Sequence, residues 1–150
     1  MSLAHLRTAL SILSVASAAQ AQIIHTPQPG SAERQAICDA ARAYVLAKYP
    51  MKALPQPIVF KIEHLAVTGG YGNMEAIPLF KDGSYIDPQY LPDVAYNFCL
   101  KRTAADWQVI VDLSRSDVPD PAEAQSLKRT MPADFPLAVL SPTWRKLLTQ

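Results

Sequence analysis

The spacing of apolar residues changes once along this 150-residue chain, and that change limits its fold more than any other feature. Between Ser31 and Pro50 the apolar residues recur at helical spacing, whereas further along they alternate with polar residues. Ser31 can cap a helix, and a residue before proline is pushed out of the helical region, so the pattern predicts a helix from Ala32 to about Tyr49. The alternating part predicts β-strands.

Two hairpins account for the alternating segment. In the first strand the apolar residues change parity between Ile62 and Leu65, so a bulge near Glu63 and His64 would keep both halves on the core side. Gly69-Gly70 suits a two-residue turn with positive φ angles and leads into a second strand.

The third and fourth strands form the clearest hairpin of the sequence. Apolar residues alternate from Asp93 to Arg102 and again from Trp107 to Leu113, and residues 103–106 between them form a loop. The register that this loop sets places the apolar side chains of both strands on one face. The facing pairs are Leu100 with Val109, Phe98 with Val111, and Tyr96 with Leu113.

Two short helices end the chain. Asp120-Pro121-Ala122-Glu123 combines a cap, a first-turn proline and a capping-box acid, which predicts a helix as far as Thr130. Ser141-Pro142 opens the last helix. The order of these helices and strands predicts an α+β fold. In this fold, one long N-terminal helix packs on a curved antiparallel sheet of about four strands, and short C-terminal helices follow.

The N-terminus has the layout of a secretory signal peptide. Arg7 precedes an apolar run, and Ala19-Gln20-Ala21 supplies the small residues that cleavage requires, so we expect residues 1–21 to be removed. The run is too short to span a membrane, which takes about 20 apolar residues. We interpret residues 22–30 as a flexible leader and residues 31–150 as a single domain of a periplasmic or secreted protein.

The charge balance excludes two classes of partner. One of the 14 Lys and Arg residues, Arg7, lies in the predicted signal peptide, so the mature chain has as many basic residues as it has Asp and Glu, of which there are 13. Such a chain has no basic surplus to neutralise phosphates or anionic lipid. We therefore expect neither nucleic acid nor a membrane surface as a partner. We also expect no membrane span after processing.

The sequence offers no cofactor or metal motif. His25 and His64 are the histidines that follow the predicted signal peptide, and neither has a partner at the spacing of a zinc site. Gly69-Gly70-Tyr71-Gly72 lacks the later glycine and the helix of a dinucleotide-binding loop. The expectation is no metal and no cofactor.

Cys38 and Cys99 leave two readings open. An oxidising compartment favours a disulfide between them, which would tie the helix to the third strand. Cys99 has the opposite parity to Phe98, so its side chain should point away from the helix. This favours the second reading, in which Cys38 and Cys99 are unbridged and act as small buried hydrophobic residues.

Three tyrosines near predicted loops form the first candidate site. Tyr71, Tyr85 and Tyr90 would place amphipathic rings at loop ends, as recognition surfaces often do. The alternative is that these rings cover the open end of the core.

Polar residues on the other side of the sheet form the second candidate site. His64, Asp93 and Asp112, together with Asn97, could meet there, and an Asp–His pair can perform acid–base chemistry when burial shifts its pKa. The alternative is a solvated sheet face.

The element order resembles that of cystatin-like and NTF2-like proteins. In more detail, the chain resembles small exported bacterial proteins with no assigned activity, although Tyr71-Gly72-Asn73-Met74 departs from the Trp-Ala-Phe that many of them have after the turn. The segments that carry the resemblance are Glu33-Arg34-Gln35-Ala36-Ile37, Ile58-Val59-Phe60, Leu65-Ala66-Val67, the Gly-Gly turn and Trp107-Gln108-Val109-Ile110. The resemblance assigns no catalytic residue.

These observations favour an exported binding or interaction protein without catalytic activity. The partner would be an envelope protein, a wall component or a small ligand. The alternative is a small NTF2-like enzyme with an acid–base site in the concave face of the sheet.

Overall fold

The computed structural model describes residues 23–49, 54–92, 95–115 and 117–150. The predicted signal peptide, Pro50 and Asp93 lie outside these ranges. Three helices and four strands follow one another along the described chain. They are α1 (Ala32–Lys48), β1 (Ile58–Thr68), β2 (Tyr71–Phe80), β3 (Tyr96–Arg102), β4 (Trp107–Asp112), α2 (Pro121–Thr130) and α3 (Pro142–Leu148), with a 3₁₀ turn (Leu137–Val139) before α3. The predicted α+β class, with one N-terminal helix and short C-terminal helices, is confirmed.

Local sequence signals account for the ends of the helices. The Ser31 side chain accepts a hydrogen bond from the backbone N–H of Arg34 and so caps α1. At α2 the side chain of Asp120 and the side chain of Glu123 form the predicted capping box, each accepting from the other's backbone N–H.

The four strands form one antiparallel sheet in the order β1-β2-β3-β4. Its first hairpin has the predicted irregularity, because the register shifts between Ile62 and His64 and leaves Glu63 as the extra residue. Gly69 and Gly70 turn the chain with φ angles of 54° and 82°, which glycine adopts without strain.

The second hairpin contains a bulge that the alternation did not indicate. Leu100 pairs with Val109 as predicted, but Cys99 pairs with Val111, so Ile110 is an extra residue in β4. Phe98 then lies opposite Asp112, and the backbone N–H of Leu113 donates to the carbonyl of Asn97. The predicted pairs of Phe98 with Val111 and of Tyr96 with Leu113 are wrong, because a single inserted residue reverses the facing of every residue beyond it.

Each face of the sheet carries its own hydrophobic core. On the first face, α1 packs on the strands, and the first core contains Ile37, Val45, Tyr96, Phe98 and Leu100. Five apolar residues of β1 that the bulge was predicted to keep on the core side contact this core, namely Ile58, Phe60, Ile62, Leu65 and Val67.

The second face was expected to be polar and open, and this expectation is wrong. Cys99, Val111 and Leu113 face this side, and α2, the 3₁₀ turn and α3 cover them with Leu127, Val139, Leu140 and Leu148 to form the second core. The bulge at Ile110 supplies the reason, since it turns Val111 and Leu113 away from α1 and gives the short helices an apolar surface to cover.

Residues 23–30, assigned to the flexible leader, contact the domain. His25 exchanges two backbone hydrogen bonds with Val67 at the outer edge of β1, at 3.0 and 2.9 Å, and its ring lies 2.8 Å from the Glu33 carboxylate. Pro27 is buried and has no N–H to donate, so it cannot continue this pairing along β1.

Candidate functional site

The structure separates Tyr71 from Tyr85, two of the three tyrosines of the first candidate site. Tyr71 begins β2, is buried in the second core, and donates a hydrogen bond of 2.9 Å to the Asp134 carboxylate. Tyr85 lies beyond the other end of β2, about 30 Å along a strand of that length, and is 77% exposed. Tyr90 packs partly against the first core. Tyr71 and Tyr85 therefore do not form one surface.

His64 and Asp112, two residues of the second candidate site, do not meet either. A ring nitrogen of His64 lies 2.8 Å from the carbonyl oxygen of Val139, on the side of the second core. Asp112 lies on the opposite face, where it accepts hydrogen bonds from the Tyr44 hydroxyl at 3.1 Å and the Lys48 ammonium at 3.0 Å. Asp93 is outside the described residues. His64 and Asp112 therefore form no acid–base pair, because the bulge in β4 places Asp112 on the α1 side.

Both cysteines are free thiols. Cys38 packs against the first core and Cys99 lies inside the second, so the sheet separates them, as the parity of Cys99 indicated. Burial raises the pKa of Cys38, and burial raises the pKa of Cys99 to about 12. Neither side chain is a reactive thiolate at neutral pH.

A cavity opens on the second face where β3 begins, and we call it the sheet–α3 cavity. Its volume is about 230 Å³. One part of its wall is apolar, formed by Tyr96, Leu113, Val118, Trp144 and Leu147. The other part is polar and includes Glu63, Glu75, Asn97, Ser114, Arg115 and Asp117.

The sheet, helix α3 and residues that follow β4 build the sheet–α3 cavity. Glu75 of β2 and Asn97 of β3 are directly opposite each other in the sheet, so both side chains project on the second face. Helix α3 contributes Trp144 and Leu147, three residues apart on one side of the helix. The segment that follows β4 closes a third side.

A hydrogen-bond network fixes Glu75 at the wall of the cavity. Its Oε1 atom accepts from the Asn97 amide at 3.2 Å and from the hydroxyl of Ser141, the residue before α3. Asn97 in turn accepts a bond of 2.6 Å from the amide of Asn73, whose own Oδ1 is buried without a partner among the described residues. The backbone N–H of Asn97 also donates to Ser114 at 2.9 Å.

The carboxylate of Glu75 has no cationic partner within the described part of the chain. It is only partly exposed, and its two donors, an amide and a hydroxyl, are neutral. An ionised carboxylate can accept further hydrogen bonds. The arrangement can therefore hold a group that donates hydrogen bonds or carries a positive charge.

Glu75, Asn73 and Ser141 were not predicted as site residues, and one reason explains this. Asn73 and Glu75 share a parity with Tyr71, which places all three on the second face, but that face was expected to be solvated. The apolar side of α2 and α3 was the signal for a second covered face, because short amphipathic helices need an apolar surface to pack on.

The described residues contain no group of three or more His, Cys, Asp or Glu side chains arranged to hold a metal ion. In the same ranges, no helix is both long and apolar enough to cross a lipid bilayer.

No protein-family model matches the chain, and no curated protein and no solved structure shows significant similarity to it. The resemblance to cystatin-like and NTF2-like proteins therefore stays a prediction.

Proposed function

We propose that this protein is a non-catalytic binding protein that holds a small ligand in the sheet–α3 cavity. The observation that carries the proposal is Glu75, a partly buried carboxylate that is positioned by Asn97 and Ser141 and lines an open cavity without a cationic partner among the described residues. Burying a charge without a counter-charge is unfavourable, so a fold that does so at a cavity wall gains from a ligand that compensates it.

The size of the cavity supports a small ligand. Sites for drug-sized molecules measure roughly 300–1,000 Å³, and this cavity measures about 230 Å³. A ligand with one short alkyl chain and a polar end matches that volume, and it also matches the division of the cavity wall into an apolar and a polar part.

The geometry favours binding over the enzymatic alternative. A general base needs to lie within hydrogen-bond distance of the proton that it removes and to be oriented by a partner. His64 is engaged by the Val139 carbonyl and Asp112 by Lys48, on opposite faces of the sheet. Within the described residues, His64 and Asp112 thus do not form the acid–base pair of the alternative.

Export remains part of the proposal. We propose that the working protein is periplasmic or secreted after loss of residues 1–21, with its ligand drawn from that compartment. An envelope protein or a wall component remains a candidate partner where it presents a group small enough for the cavity.

Titration with three probes that share one alkyl chain tests the function. Hexylammonium, hexanol and hexanoate are added separately, and the amide resonances of Asn97 and Ser114 and the indole resonance of Trp144 are followed by NMR. We expect at least one probe to shift these resonances with a Kd of about 1 mM, since a ligand of so few atoms supplies only about 4 kcal/mol.

A matched pair of variants locates the binding. Ala95 is exposed and lines the cavity, whereas Ala122 is exposed on α2 and does not. Ala95→Trp should fill the mouth of the cavity and abolish the shifts, and Ala122→Trp should leave them unchanged. If no probe shifts the cavity resonances, the proposed function is wrong.

A further inference from the structure

We infer that the ligand group recognised by Glu75 is a primary alkylammonium, with its alkyl part against Trp144 and Leu147. This inference rests on the proposed function and specifies the chemistry of the same site.

The hydrogen-bonding capacity of Glu75 selects a donor. The two donors that it already has, from Asn97 and Ser141, both reach Oε1. A carboxylate has about four acceptor positions over its two oxygens, so Oε2 is available to a ligand that donates. A ligand carboxylate would bring only acceptors and a second negative charge.

The charges around the cavity select a cation. Glu63, Glu75 and Asp117 line it, and Arg115 is the one basic residue among the described residues that do so. Glu63, Asp117 and Arg115 are all exposed, so water screens their charges, whereas Glu75 is partly buried between the sheet and α3 and contributes most to the local field. The local field therefore favours a positive ligand over a negative one.

The apolar part of the cavity wall favours a ligand with an alkyl chain. Trp144 is half-buried on α3 and offers an aromatic surface, which attracts ammonium groups and alkyl chains alike. Leu147 continues the apolar surface. A primary ammonium on a short alkyl chain satisfies both parts of the wall, whether it comes from a free amine or from a lysine side chain.

The three probes rank the ligand groups directly. We expect hexylammonium to bind at least about tenfold more tightly than hexanol, and hexanoate to bind most weakly, because charge-assisted hydrogen bonds are roughly twice as strong as neutral ones. Equal binding of the three probes, or tightest binding of hexanoate, would overturn the ammonium inference and leave the binding function standing. Failure of all three removes the function itself.

Glu75→Gln tests the residue assigned to this preference. The glutamine carbonyl can still accept from Asn97 and Ser141, so the network stays intact while the charge is lost. We expect the preference for hexylammonium over hexanol to fall about tenfold with hexanol binding unchanged. Glu33→Gln, the same change at a residue outside this cavity, should alter neither affinity. A Glu75→Gln protein that binds hexanol normally and keeps the full preference would contradict the inference.

A capped lysine separates the two sources of the ammonium. Nα-acetyl-lysine methylamide carries a primary ammonium at the end of a four-carbon alkyl chain on a peptide unit. Binding of this compound as tight as that of hexylammonium would identify a peptide side chain as the source. Binding of hexylammonium alone would identify a free amine.

Discussion

Asp112 and Glu75 are carboxylates on opposite faces of one sheet, and their surroundings give them different roles. Asp112 accepts hydrogen bonds from Lys48, Tyr44 and the backbone of Ser114, which tie α1 to the end of β4. Burial raises the pKa of Asp112, but the hydrogen bonds from Ser114 and Lys48 outweigh it, so the net shift is downward. Glu75 has only neutral donors. The first carboxylate is satisfied within the fold, and the second is available to a ligand.

The lowered pKa of Asp112 predicts how stability depends on pH. Because the folded-state pKa lies below the unfolded value of about 3.9, the ionised carboxylate stabilises the fold above about pH 4, and this contribution disappears as the pH falls through the folded-state pKa. Asp112→Asn should therefore lower the free energy of unfolding by about 1 kcal/mol at pH 7, since Lys48 is partly exposed and its charge is screened.

Urea unfolding of both proteins at pH 7 and in acid measures this effect. The difference between them should shrink as the pH falls below about 4. Asp117→Asn is the control, because Asp117 is exposed and has no hydrogen bond within the described residues. A difference between the parent protein and Asp112→Asn that stays constant across this pH range would contradict the assigned role.

At the scale of elements, sequence signals predicted each helix and hairpin but only one of two bulges. The bulge at Glu63 was visible because apolar residues on both sides of it change parity. The bulge at Ile110 was not, since Val109, Ile110 and Val111 are all apolar and fit either register. Its effect is large, because it moves Val111 and Leu113 to the second face and Asp112 to the first.

Two substitutions on α3 test whether this helix covers the second face of the sheet. Leu148 is fully buried in the second core, whereas Lys146, two residues earlier, is exposed. Leu148→Ala should destabilise the protein by about 2 to 5 kcal/mol, the range for emptying a buried leucine site. Lys146→Ala should change the stability by less than about 0.5 kcal/mol. Equal small losses in urea unfolding would mean that α3 does not pack on the sheet.

At the scale of the whole molecule, the fold class was predictable and the candidate site was not. Fold class depends on periodicity, which a sequence shows directly. The sheet–α3 cavity depends on the contact of β2 and β3 with a helix more than 40 residues further along the chain, as the separation of Asn97 from Trp144 shows. It depends as well on which face Asn97 occupies, and that face was expected to be solvated. The tyrosine loops were chosen because loop positions are visible in sequence, whereas burial is not.

Export is the remaining prediction at this scale, and it decides which ligands the cavity can meet. When the full chain is produced in a bacterium that secretes it, we expect N-terminal sequencing to find Gln22 as the first residue, because cleavage requires the small side chains at Ala19 and Ala21. Ala19→Leu should block processing and retain the precursor, whereas Ser17→Ala keeps a small residue outside those two positions and should be processed normally. His25, which pairs with Val67 at the edge of β1, lies only a few residues beyond the cleavage site. A protein that keeps Met1 in its final location would overturn both the export proposal and the choice of ligands from the periplasm.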